Sequence, residues 1–139
     1  MTLHIPRRLL DDIAAHASET YPEECCGFLV GSAGDGCRVQ RVIRAKNVAP
    51  EPRTTRYTID PLDIIAAEKK ASTGGKAILG YYHSHPDHPC VPSEFDRSHA
   101  WPSYSYFIMR VFLGEPADFR SWRLAEDGTR FIQEDVQVE

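Results

Sequence analysis

Apolar residues in this chain come in short runs closed by glycine or proline, and that punctuation limits the available folds more than any other feature. Cys25 to Val30 is one such run, stopped by Gly31, and Ala77 to Tyr82 is another, preceded by Gly74-Gly75. Both read as buried strands. Gly34-Asp35-Gly36 reads as a turn. Cys37 to Val48 reads as a longer, β-branched, arginine-studded strand that Pro50 and Pro52 break. Arg56 to Ile59 reads as a further strand. Tyr104 to Leu113, Asp118 to Ala125 and Phe131 to Val138 read as three closing strands, with turns at Gly114-Glu115-Pro116 and Asp127-Gly128.

Two longer segments carry helical spacing instead. Residues 6 to 17 place Leu9, Leu10, Ile13, Ala14 and Ala17 on one face, with Pro6 acceptable at the first position. Asp60-Pro61 has the form of a helix start, Asp60 as N-cap, and the helix runs to the Gly74-Gly75 stop. Leu62, Ile65, Ala66 and Lys69 share one of its faces. A Pro-rich loop (Pro86, Pro89, Pro92) leads to a short helix from about Ser93 to Ala100. Strands and helices mix without a strict βαβ rhythm. The expected class is α/β in the α+β sense: one domain over residues 1–139, a mixed curved sheet with packed helices.

Composition narrows the function. Of 139 residues, 42% are hydrophobic and 26% charged, ordinary for a globular protein. Sixteen Lys and Arg against twenty Asp and Glu give a net charge of -4, which argues against nucleic-acid or anionic-membrane partners. No apolar run approaches the ~18 residues of a membrane span, and MTLHIPRRLLDD lacks a signal-peptide core, so a cytoplasmic location is expected. The cysteines at 25, 26, 37 and 90 form no C-x-x-C, and reduced thiols are expected.

The chemistry is concentrated in HSHPDHPCVPSEFD, residues 83–96. On a strand, positions i and i+2 share a face, so His83 and His85 can aim both imidazoles at one point. Zinc takes His nitrogen at ~2.0–2.1 Å, and two His plus a carboxylate leave one tetrahedral position for water. Asp96 is the candidate carboxylate. A plainer reading stands beside it: Ser93-x-x-Asp96 has capping-box spacing and explains both residues as a helix start. Upstream, Glu23-Glu24 stands at the mouth of the apolar run, where a carboxylate can serve as the base that a zinc hydrolase needs outside its metal ligands.

Taken together, Glu24-x-Cys26-Gly27, then His83-Ser84-His85-Pro86, a spacing of seven residues, then Ser93-x-x-Asp96, resemble the JAMM (MPN+, Mov34/PAD-1) zinc metalloprotease signature. The flanks YYHSHPDH, Pro92-Ser93 and Ala100-Trp101-Pro102 with Tyr104-Ser105-Tyr106 resemble its small bacterial Mec-type branch. The resemblance implies a JAMM/MPN, cytidine-deaminase-like fold and one zinc per chain on His83, His85 and Asp96. Glu24 rather than Glu23 then falls at the general base position, and Ser93 at the hydroxyl that steadies the oxyanion. It implies a substrate too: the amide bond after the C-terminal Gly-Gly of a ubiquitin-like sulfur carrier protein, with release of an amino acid such as cysteine, serving cysteine biosynthesis. The alternatives are a desampylase- or deubiquitinase-like isopeptidase on protein conjugates and a non-catalytic MPN scaffold. The chain lacks room for the insertions of larger deubiquitinating relatives, and monomer and homodimer are both open.

Weaker signals complete the reading. His88, Trp101 and Tyr104 are candidate substrate contacts. Cys90 stands where a small residue such as Ala is expected. Arg38, Arg41, Arg44 and Lys46 form a basic streak, either a solvated strand face or a dock for an acidic carrier.

Overall fold

The run at Cys25–Val30 is apolar at every position because the strand it forms is covered on both faces. A computed structural model describes residues 1–32, 34 and 36–139, so Asp35 of the expected turn lies outside the described residues. Strand β2 (Cys26–Ser32) pairs antiparallel with β3 (Arg38–Ala45) on one side and with β4 (Ala77–Pro86) on the other. Its Leu29, with the preceding Cys25, joins a core built on helix α1 (Arg7–Thr20), whereas Cys26, Phe28 and Val30 face helix α2 (Pro61–Thr73). Two-sided burial removes the polar alternation that a half-exposed strand shows.

The remaining strands are β1 (Thr2–Ile5), β5 (Ser105–Phe112), β6 (Glu115–Leu124) and β7 (Phe131–Val138), and a short helix α3 (Glu94–Ser98) follows β4. Their order is β1-β3-β2-β4-β5-β6-β7, closed into a barrel by parallel pairing of β1 with β7. The β4–β5 pair is parallel, whereas β5–β6 and β6–β7 are antiparallel, so the sheet is mixed as expected. Helix α1 buries Leu9, Leu10, Ile13 and Ala17 against β3, β4, β5 and β6. Strand β1 was not among the expected strands. Its four residues alternate, with Leu3 and Ile5 fully buried, but end at Pro6 before a pattern can establish itself.

Four expectations are corrected. Arg56–Ile59 is not a strand: Thr58 accepts one backbone hydrogen bond from Val48 N–H (2.9 Å) and gives its own N–H to the Asn47 side chain (3.2 Å), so no ladder forms. The same side chain ends β3 at Ala45, short of Val48. The buried face of α2 is Ala67 and Ala71 with Ile64 half-buried, while Leu62 and Ile65 are 72% and 50% exposed. The hairpin turn sits on Leu113-Gly114, both at positive φ (50° and 87°), which lets β6 start at Glu115 and places Pro116 in the strand. A pair of positive φ values is what a tight primed hairpin turn demands. No helix among the described residues is long and apolar enough to cross a membrane.

Candidate active site

Strand β4 runs through His83-Ser84-His85, so period-2 alternation puts both imidazoles on the face of Tyr81 and turns Ser84 the other way. Ser84 then ties β4 to the start of β2: its Oγ accepts from Cys25 N–H (2.8 Å), and its N–H donates to Cys25 C=O (3.3 Å). This stitch and the Cys26–His83 register carry Glu24 to the histidines across a long sequence separation.

Asp96 arrives from the first turn of α3. Ser93 caps that helix, its Oγ accepting from Asp96 N–H (3.0 Å) while Asp96 Oδ2 accepts from Ser93 N–H (2.9 Å). The capping-box reading is therefore realised, and it aims a carboxylate oxygen at the histidines rather than away from them. His83 Nε2 and His85 Nε2 lie 3.2 Å apart, and Asp96 Oδ2 is 3.3 Å and 3.2 Å from them. Three donors on a tetrahedral zinc with ~2.0–2.1 Å bonds stand about 3.3–3.4 Å apart. The triangle has that size.

Glu24 stands beside the triangle. One of its carboxylate oxygens lies within 4.8 Å of the ligand nitrogens of both histidines, and all three side chains are buried. Its Oε1 is buried without a hydrogen-bond partner, which is costly unless something else faces it. Burial, then the charge of Asp96, pushes its carboxyl up to about 9. For Asp96 burial alone would act upward, but the charge of His83 and hydrogen bonds from His83, His85 and Ser93 outweigh it and hold the carboxyl far below the usual range. His85 Nδ1 donates to Pro89 C=O (2.7 Å), which leaves its Nε2 lone pair for a metal. A converging set of buried donors with an orphaned carboxylate oxygen fits a metal site. Glu23, by contrast, is half-exposed and paired with Arg53 (3.3 Å).

Beside Asp96 opens a cleft of about 170 Å³, walled by Tyr57, Ile59, Ile64, Tyr81, Phe95 and Tyr106, with Trp101, 68% exposed, at its rim. His88 is half-buried and stacks on His85 (centroids 4.1 Å apart). Tyr104 does not line this cleft; it packs edge-on against the wall residue Tyr81 (5.5 Å). The Cys90 thiol faces Asp118 Oδ2 (3.3 Å) on β6 and stands outside the donor cluster, its pKa pushed up to about 11 by burial and by Asp118. All four cysteines are free. In the basic streak, Arg38 bonds Glu139 (2.9 Å) and Arg44 bonds Glu19.

The family model for prokaryotic homologs of the JAB domain matches residues 6–125. The chain belongs to this family. It is a hydrolase of the JAMM type. A Haloferax volcanii protein named desampylase is 39% identical over 103 residues, 70% of this chain and 73% of that one. A Thermus thermophilus probable TtuB-protein conjugate cleaving protease is 38% identical over 118 residues, 81% and 76% of the two chains. A Mycobacterium tuberculosis CysO-cysteine peptidase is 27% identical over 120 residues, 85% and 80%. Among solved structures, a Salinibacter ruber protein superposes with a TM-score of 0.77 at 39% identity, covering 99% of this chain and 92% of that one. A structure described as a JAMM metalloprotease-like zinc site reaches 0.61 at 18% identity, over 100% and 99%, and shows the shared fold.

Sequence reasoning missed three residues here. Tyr57 stacks on His83 (4.6 Å, 27°), and its phenol is held protonated, well above the usual range, by burial and by Asp96. Asn47 and Ser84 fasten the segments that meet at the site. No spacing marks any of them, although Ser84 lies inside the motif.

Proposed function

We propose that this chain is a zinc-dependent peptidase that hydrolyses the amide bond after the C-terminal Gly-Gly of a ubiquitin-like sulfur carrier protein and releases an amino acid such as cysteine. The observation that carries the proposal is the zinc-sized triangle of His83, His85 and Asp96 with the bare Oε1 of Glu24 beside it. His83, His85 and Asp96 would hold one zinc. When bound, zinc lowers the pKa of water to near 7 and polarises a carbonyl oxygen. With zinc bound, its positive charge would favour the ionised form of Glu24 against the burial that raises its pKa, and Glu24 would then accept the proton released by the attacking water and deliver it to the leaving nitrogen, which becomes the departing amine. Ser93 accepts from Asp96 N–H with one Oγ lone pair, which leaves its hydroxyl hydrogen to donate toward the developing oxyanion. The apolar cleft, narrow and open at Trp101, suits an extended tail whose terminal glycines carry no side chains. The whole chain acts as one domain, in the cytoplasm.

The names of the relatives support this class of substrate, each being a desampylase, a conjugate-cleaving protease or a carrier–cysteine peptidase. A second reading follows from their ranking. The relatives named for desampylation and conjugate cleavage are 39% and 38% identical, against 27% for the cysteine peptidase, which favours an isopeptidase acting on protein conjugates.

Zinc per chain, measured in the parent and in His83→Ala prepared identically, tests the metal. About one zinc in the parent and a clear loss in the variant is expected; none in either after reconstitution would make a non-catalytic scaffold the better reading. Cleavage of a Gly-Gly-Cys carrier against a Gly-Gly-lysine conjugate then separates the two substrates by leaving group.

A further inference from the structure

Asn47, two residues beyond the end of β3, spends its whole amide on three segments that meet at the site. Its Nδ2 donates to Glu24 C=O and to Arg56 C=O, each at 3.1 Å. Its Oδ1 accepts from Ala49 N–H (3.0 Å) and Thr58 N–H (3.2 Å). An asparagine has two N–H donors and one carbonyl with two lone pairs, so nothing of this amide is left over. Glu24 is held a second time by the same loop, its N–H donating to Arg53 C=O (2.8 Å). Both backbone polar groups of Glu24 are therefore pinned by residues 47–53.

Arg56 and Thr58, the two far residues that Asn47 grips, flank Tyr57, whose ring stacks on His83. That stacking matters because His83 Nδ1 is buried without a hydrogen-bond partner, whereas His85 Nδ1 has Pro89 C=O. A metal-binding imidazole is ordinarily oriented by a hydrogen bond from its second nitrogen. At His83 a ring face takes over that role.

We propose that Asn47 is a positioning residue for catalysis: through one side-chain amide it sets Glu24 and, by way of Tyr57, the His83 imidazole in fixed relation to each other. The inference rests on reading Glu24 as the proton-transfer group. Asn47 touches neither substrate nor reacting atoms, and it acts through the two residues it holds. A displacement of about 1 Å at such a group costs up to about 100-fold in rate, so a single loop fastening has a measurable consequence.

The test crosses Asn47→Ala and Asn47→Asp with Glu24→Gln in single-turnover cleavage by the zinc-loaded protein, with zinc content measured on every sample. Asn47→Asp keeps the acceptor for Ala49 and Thr58 and removes the donors to Glu24 and Arg56. Expected for Asn47→Ala is a fall in kcat of about 10-fold or more, with KM within about twofold and zinc retained. On the residual rate of Glu24→Gln the same change costs clearly less, because of the two groups it serves only His83 remains. Asn47→Asp lies between, and carries the cycle alone if Asn47→Ala does not fold. In the metal-free protein, the ring-current shift that Tyr57 imposes on the His83 ring protons is lost in Asn47→Ala, while the His16 signals, set by Tyr82, stay in place. An equal fold-loss in both backgrounds, an unchanged kcat or an unmoved His83 signal overturns the proposal. Full turnover by Glu24→Gln overturns instead the reading of Glu24 beneath it.

Discussion

One oxygen, Asp96 Oδ2, accepts from Ser93 N–H and stands against both imidazoles, so the capping geometry of α3 and the metal triangle share an atom. Asp96→Ala removes the third donor and is expected to lose zinc outright. Glu24→Gln, which leaves the triangle intact, should keep zinc and lose about 10²- to 10⁴-fold in kcat, the usual scale of a general base. Metal analysis beside turnover separates the two roles. Gly27 belongs to the same motif for a steric reason. A Cβ there would meet Tyr82 Cε2 at 2.2 Å and Ile43 C=O at 2.5 Å, so Gly27→Ala should destabilise the fold by about 1–3 kcal/mol or more in urea unfolding. His83, His85 and Asp96 stood out in the sequence because their types and spacing suit a metal, whereas Glu24 and Ser93 took their proposed roles only from the family resemblance. Asn47 and Tyr57 were not legible there, since an amide that pins a loop and a ring that backs a histidine are common residues whose role exists only after folding.

At the scale of elements, two helix caps make a controlled comparison. Asp60 Oδ1 accepts from Leu62 N–H (2.9 Å) at the start of α2, and Ser93 caps α3. Losing either cap costs about 1 kcal/mol. Asp60→Ala should therefore lower Tm by a few degrees and leave kcat/KM unchanged, because α2 brings no donor to the metal triangle. Ser93→Ala should cost similar stability and also lower kcat, since it removes both the cap that aims Asp96 and the hydroxyl proposed to face the oxyanion. A loss of activity in Asp60→Ala equal to that in Ser93→Ala would mean that the cap acts only through stability. The start of α2 was visible in Asp60-Pro61 because capping is local chemistry. Which face of α2 is buried was not: the small residues Ala67 and Ala71 are what allow close approach to β2 and β4, and small size reads weakly beside exposed Leu62 and Ile65.

For the molecule as a whole, barrel closure depends on pairing between chain ends, and no local pattern announces it. Strand β1 meets β7 in four registers and β3 in one, a seam strengthened by Glu139, which bonds both His4 (3.1 Å) and Arg38 (2.9 Å). Inside the barrel, His16 of α1 bonds Tyr82 OH of β4 through Nδ1 (2.7 Å) and is 6% exposed. Burial, then the charge of Arg44, lowers its pKa to about 4, with Glu19 opposing. Below its ordinary value of 6.5 the unfolded chain takes up a proton at His16 that the folded chain refuses until about pH 4. The unfolded state then binds more protons, so stability falls as pH drops through that window and is unaffected by this group above it. The contribution is at most about 3 kcal/mol. His16→Gln keeps a partner for Tyr82 OH and cannot titrate. Urea unfolding between pH 4 and 8, with chelator present so that metal release does not enter and with His83 and His85 common to both proteins, should give the parent a steeper acid decline than His16→Gln and parallel curves above pH 7. Parallel curves throughout would show that the folded protein protonates His16 as readily as the unfolded chain, and that burial and Arg44 do not hold it neutral.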